Sequence, residues 1–112
     1  MSHTKLSDRE LKVLLAILRC GGEAYAPKIR DKLVEYAGET LSIAALHSAL
    51  DRLEQRGLIE MWMGEATKVR GGRRKKLVKV TGEGQIAVQH AMNTLNAMAA
   101  GVWEDLGTEV LA

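Results

Sequence analysis

A chain of 112 residues with a single cysteine, no phenylalanine and a formal charge of +2 is one domain with an aliphatic core, and an intramolecular disulfide is excluded. No run approaches the ~20 apolar residues of a membrane span and no stretch has a signal-peptide pattern, so a cytoplasmic protein without membrane contact is expected. Cys20 closes an apolar helical pattern and reads as a packed, unreactive thiol.

Residues 1–6, including His3, read as a loose start. Ser7-Asp8-Arg9-Glu10 then forms a capping box, with Ser7 on the third amide and Glu10 reaching back. Leu11, Leu14, Leu15 and Leu18 follow at helical spacing, and Gly21-Gly22 stops the helix after Cys20. A second helix opens near Ala26-Pro27, where first-turn amides have no intrahelical partner and proline is tolerated. Ile29, Leu33 and Tyr36 or Ala37 form its expected buried stripe, and Gly38 ends it. Lys28, Arg30 and Lys32 mix with Asp31 and Glu35 on its outer faces, which is ordinary surface charge, the alternative being a phosphate contact from the first turn.

Ser42 caps the third helix, whose apolar stripe is Ile43, Leu46, Leu50 and Leu53, and Gly57 terminates it. The opposite face carries Ala44, Ala45, His47, Ser48, Asp51, Arg52 and Gln55. A helix that enters a major groove needs such a slim N-terminal face with a few hydrogen-bonding side chains. No second His, Cys or clustered carboxylate stands at metal-ligand spacing from His47, so no metal site is expected, and no cofactor.

The segment 58–63 and the segment 77–80 read as short strands around a loop that contains Gly71-Gly72. Between Lys68 and Lys79 the chain has seven basic residues and no acid, and without them the net charge becomes −5. The basicity is therefore local. Guanidinium and ammonium groups at the tip of a hairpin suit a phosphate backbone, the alternative being a solvated loop kept soluble by its charge. Three short helices, a strand, a basic hairpin and a second strand are the plan of a winged helix-turn-helix. The expected fold is mainly α with a small β hairpin.

Residues 11–88 resemble the PadR family of bacterial transcriptional regulators. The resemblance rests on the run Leu41-Ser42-Ile43-Ala44-Ala45-Leu46-His47-Ser48-Ala49-Leu50, on Asp51-Arg52-Leu53-Glu54-Gln55-Arg56-Gly57-Leu58-Ile59, and on Gly72-Arg73-Arg74-Lys75-Lys76 continuing through Lys79-Val80-Thr81 to Gly84. The middle run is common to many winged helices, whereas the wing run followed by Thr and Gly is more specific. Ala44-Ala45 stands where the family has Gly-Thr, His47 where it has Tyr, Ser48 where it has Pro, and Val78 where it has a second Tyr. Ala26-Pro27-Lys28 replaces the family's Gly-Tyr-Glu. The resemblance thus implies double-stranded DNA as a partner, with base-reading residues that differ from the family's.

Thr81 caps a last helix that starts at Gly82. Val88, Met92, Leu95, Ala99, Val102 and Leu106 recur along it at alternating spacings of 4 and 3, the seam by which helices pair. Ala87, Ala91, Met98 and Trp103 broaden the seam, Gly101 marks a bend, and the residues past Gly107 read as frayed. No Lys or Arg follows Lys79, so this part is not built for nucleic acid. The resemblance implies the same, since short PadR-like chains dimerise through one C-terminal helix and related regulators take small apolar ligands near the dimer interface. Trp103 is the position at which a flat aromatic effector would stack, or else an interface anchor.

These features divide the chain into a winged helix-turn-helix at 1–80 and a dimerisation helix at 81–112. The expected function is a homodimeric DNA-binding regulator, a repressor. Ser42, Ala44, Ala45, His47, Ser48 and Arg52 would face bases or the adjacent backbone, and Lys68, Arg70, Arg73, Arg74, Lys75 and Lys76 would hold phosphates or reach a minor groove. Asp51 is left out because a carboxylate beside DNA is costly. The alternative is a winged helix that docks its basic hairpin on an acidic protein partner. No nucleophile–base spacing and no phosphate-cradling glycine loop recommends an enzyme.

Overall fold

The computed structural model describes residues 5–65 and 74–106. Helix α1 spans Asp8–Arg19, α2 Ala26–Lys32, α3 Ile43–Gln55, α4 Gly82–Ala99 and α5 Val102–Leu106. Strands β1, Ile59–Met63, and β2, Lys76–Val80, pair antiparallel with Ile59 opposite Val80 and Met63 opposite Lys76. The chain is mainly helical with one two-stranded hairpin, as expected.

Local chemistry explains the helix starts. Ser7 Oγ accepts the Glu10 amide at 3.1 Å and Glu10 Oε1 accepts the Ser7 amide at 2.8 Å, a complete capping box. Ser42 Oγ accepts the Ala45 amide at 3.0 Å, and Thr81 Oγ1 accepts the Gly84 amide at 3.0 Å. The Thr81 hydroxyl also donates to the Gly57 carbonyl at 2.7 Å, which ties the start of α4 to the end of α3.

The core is aliphatic throughout. Val13, Leu14 and Ile17 of α1 meet Ile29 of α2, Leu33 just after it, and Leu46, Leu50 and Leu53 of α3, with Ile59, Val78 and Val80 closing one side. Each fully buried side chain of this kind contributes about 1.5–3 kcal/mol relative to exposure. Ala87 and Val88 of α4 enter the same cluster and Met92 packs on its edge. The first half of α4 therefore belongs to the core of the winged helix. Cys20 packs partly against that core, and burial pushes its thiol pKa up.

Two expectations about buried stripes are corrected. Tyr36 is 56% exposed and Ala37 is exposed as well, because Leu33–Ala37 forms a π-helical turn. The wider turn rotates the positions after Leu33 away from the core, and the Tyr36 ring lies instead under the Arg19 guanidinium at 3.7 Å. Ile43 is 42% exposed, since the first turn of α3 overhangs the core and only Leu46, Leu50 and Leu53 of its stripe are buried.

The C-terminal seam does not run down one helix, and the break falls at Gly101, where a bend is expected from the sequence. Ala100 has an extended ψ of 125° and Gly101 a φ of +77°, so α4 ends at Ala99 and α5 sets off in a new direction. Only glycine takes that φ without strain.

Candidate nucleic-acid interface

Helix α3 is held from beneath by Leu46, Ala49, Leu50 and Leu53, all buried, and this leaves its other faces open. Ser42, Ala44, His47, Ser48 and Arg52 are exposed and Ala45 is half-buried. Alanines and a serine keep the backbone of the first two turns within reach of anything laid against it, and His47 and Ser48 supply hydrogen-bonding groups.

The hairpin meets this face at its root. Beside His47 and Leu50 of α3 lies a cavity of about 200 Å3, completed by Tyr25, Ala26 and Pro27 at the start of α2 and by Met61, Lys76 and Val78 of the hairpin. His47 and Lys76 are thus brought to one place. Lys75 and Arg74 are exposed just before β2. Arg74 Nε donates to the Gly64 carbonyl at 2.9 Å, and the Gly64 amide donates to the Lys75 carbonyl at 2.7 Å, which closes the neck of the hairpin. Lys68, Arg70 and Arg73 lie outside the described residues.

Arg52 does not join this group. It lies roughly 140° around the α3 axis from His47 and lines a different depression, with Asp8, Arg9 and Glu39 among its neighbours. Lys79 is engaged within the hairpin, 3.5 Å from the Glu60 carboxylate across the strands and 5.9 Å from the Trp62 ring. Of the seam residues, Val88 is buried within the protomer and Met92 and Val102 are half-buried, while Leu95, Ala99, Trp103 and Leu106 are exposed.

Tyr25 at the same junction was not singled out from the sequence. The available signal was an aromatic residue at a helix N-cap, where Ser, Thr, Asp or Asn is usual. Among the described residues no group of His, Cys, Asp and Glu is placed to hold a metal ion, and no helix is long and apolar enough to cross a membrane.

No protein-family model matches the chain, and no curated protein matches it. Solved structures do. A PadR-like transcription factor from Bacteroides fragilis is 26% identical over 84% of this chain and 89% of its own, with a TM-score of 0.66. A PadR family transcription regulator from Clostridium difficile is 23% identical over 87% of this chain and 98% of its own, with a TM-score of 0.65. A winged-helix DNA-binding protein from STIV is 12% identical over 87% and 97%, with a TM-score of 0.66. The chain has the PadR-like winged-helix fold.

Proposed function

We propose that this chain, a PadR-like winged helix, is a DNA-binding transcriptional regulator that works in the cytoplasm as a homodimeric repressor. The observation that carries the reading is the junction of His47 with Lys76. The slim exposed face of α3 and the cationic root of the hairpin share one side of the molecule. A helix of that kind reads base edges in a major groove, while lysines and arginines beside it neutralise phosphates. Repression requires only that the protein occupy its site, which the reading head supplies.

The dimer is supported by the far end of α4, where Leu95 is 53% and Met98 76% exposed beyond the core. Large exposed apolar side chains grouped on one element mark an interaction surface. A two-fold pair would set the two reading helices about one turn of DNA apart. Trp103 on α5, also exposed, would anchor the interface or else stack on a planar aromatic effector that changes that separation.

Mobility shift of random duplexes over a salt series tests the reading. Each phosphate contact contributes about −0.9 to the slope of log K against log salt. Replacing Arg73 and Arg74 with Ala is expected to weaken binding to every duplex and flatten the slope. Absence of any salt-dependent binding by the wild type would overturn DNA binding and favour an acidic protein as the partner of the hairpin.

A further inference from the structure

Helix α2 begins on a residue that does not cap it. The Tyr25 carbonyl accepts the Ile29 amide at 3.0 Å, but its side chain makes no capping hydrogen bond. Ser, Thr, Asp or Asn there would satisfy an otherwise unpaired amide. A position that breaks a local rule usually answers to a different demand. The Tyr25 ring has Lys75 Nζ 4.5 Å from its centroid and Lys28 Nζ 5.7 Å away, both within the ~6 Å reach of a cation–π contact. Lys28 belongs to α2 and Lys75 precedes β2, so a single ring gathers ammonium groups from two elements.

The backbone holds this arrangement in place. The Val78 amide donates to the Ala24 carbonyl at 2.9 Å, and Ala24 pairs with Val78 as a one-residue third rung of the sheet. Tyr25 therefore sits at a set position relative to the hairpin. It lines the cavity of about 200 Å3 together with the apolar Ala26, Pro27, Leu50, Met61 and Val78 and the polar His47 and Lys76. Pockets for drug-sized ligands run to about 300–1,000 Å3, so this one suits a smaller group. A mostly apolar lining with Lys76 in it and Lys75 beside Tyr25 fits a group with a hydrocarbon face and an anionic end. Glu23 lies 4.0 Å from Lys28 Nζ and shares its charge, so Lys75 and Lys76 supply most of the attraction.

We infer that Tyr25 and this cavity form a seat for one sugar–phosphate unit of the DNA backbone, with the sugar against Tyr25 and Pro27 and the phosphate held by Lys75 and Lys76. The inference rests on the DNA-binding reading. Seating one backbone unit between α2 and the hairpin sets how deep α3 lies in the groove and at what register. Tyr25 then both meets the sugar and holds Lys75 in place beside the phosphate.

The test is fluorescence anisotropy of the full chain with random-sequence duplex over a salt series. Tyr25→Ala is expected to weaken binding to all duplexes by about threefold to tenfold and to lower the salt slope by about 0.9, one phosphate. Tyr25→Phe keeps the ring and is expected to match wild type. Lys75→Gln is expected to reproduce the Tyr25→Ala loss, and the double variant to add little, because the two act as one unit. The inference is overturned if Tyr25→Ala binds with wild-type affinity and slope, if Tyr25→Phe loses as much as Tyr25→Ala, or if the two single losses add in full. Should Tyr25→Ala fail to fold by circular dichroism, Lys75→Gln decides alone, since Lys75 is exposed, and unchanged binding then overturns the seat. A wild type that binds no duplex overturns the DNA reading and the seat together, which separates that failure from failure of the seat.

Discussion

Arg56, at the C-terminal cap of α3, holds the carboxylate of Glu10 in the first turn of α1, across a sequence separation of 46 residues. The other arm of its guanidinium donates to the Lys5 carbonyl, so one side chain ties together the N-terminal segment, α1 and the end of α3. Glu10 is the buried charged residue among those described, 6% exposed. Its two oxygens are satisfied by Arg56 and by the Ser7 amide.

That contact predicts an acid-labile fold. Burial pushes the Glu10 carboxyl up, but Arg56 and Ser7 together outweigh it, and the pKa is lowered from the ordinary 4.5. A lowered folded-state pKa contributes stability that is present above the unfolded value and lost as pH falls through the folded one. Urea midpoints should therefore fall as pH drops below 4.5. Glu10→Gln should cost about 2 kcal/mol at neutral pH, the scale of a hydrogen bond to a charged group, and should flatten the acid limb. An unchanged acid limb in the variant would assign the lability to other carboxylates.

Reading and anchoring should separate by mutation. His47 and Ser48 are exposed on α3 and leave the core untouched when truncated, so His47→Ala and Ser48→Ala should keep wild-type thermal stability. Base contacts specify and phosphate contacts position. Each substitution should change which duplexes are selected from a random pool, with a loss of about 1–3 kcal/mol on the preferred one and little change in salt slope. The same selected duplex from wild type and both variants would remove this face from base reading.

What the sequence made legible was local. Ser7, Ser42 and Thr81 announce helix starts because their hydroxyls act within three residues, and each makes the expected bond. The hairpin was legible from two short apolar runs around a glycine-rich basic loop, and its paired strands match within a residue. Tyr36 was misplaced because no periodicity foretells a π-helical turn. The Tyr25 platform and the Glu10–Arg56 contact join residues distant in sequence, and no spacing rule connects them. On α3, period alone cannot tell His47 from Arg52, since both leave the apolar stripe. Which of them faces the hairpin depends on where α2 and β2 pack.

Gly84 should tolerate no side chain. A Cβ there would stand 2.1 Å from the Leu58 carbonyl oxygen and 2.7 Å from Val80 Cγ1, and a backbone atom in the strand junction cannot swing aside. The first turn of α4 lies this close because the Thr81 amide also donates to the Leu58 carbonyl at 3.0 Å. Ala is ordinarily the better helix former by about 1 kcal/mol. Here Gly84→Ala should instead destabilise by about 2 kcal/mol through overpacking, visible as a melting temperature lower by roughly ten degrees. Gly82, two residues earlier, has nothing within 4 Å of its Cβ position, so Gly82→Ala should be neutral or mildly stabilising. Equal effects at the two positions would contradict the close approach.

Beyond Met92, α4 leaves the core. Val88 is buried and Met92 half-buried, whereas Leu95 and Met98 face outward. A substitution at Leu95 therefore touches little of the protomer's own packing. If this face pairs two copies, Leu95→Asp would place a charge in the interface, where burial without a partner is very unfavourable. The variant should keep wild-type helicity, sediment as a monomer and lose tight binding to any duplex with two half-sites. Weak salt-dependent binding to random duplex should persist, because the reading head is intact. Gly101→Ala separates the contribution of α5. An alanine held at the φ of +77° seen there is strained by roughly 1–2 kcal/mol, so the joint should shift toward a straighter helix and swing Trp103 and Leu106 to a new side. Weaker dimerisation in this variant would place α5 in the interface, and an unchanged dimer would confine the interface to α4. A Leu95→Asp variant that remains dimeric would show that another surface holds the copies together.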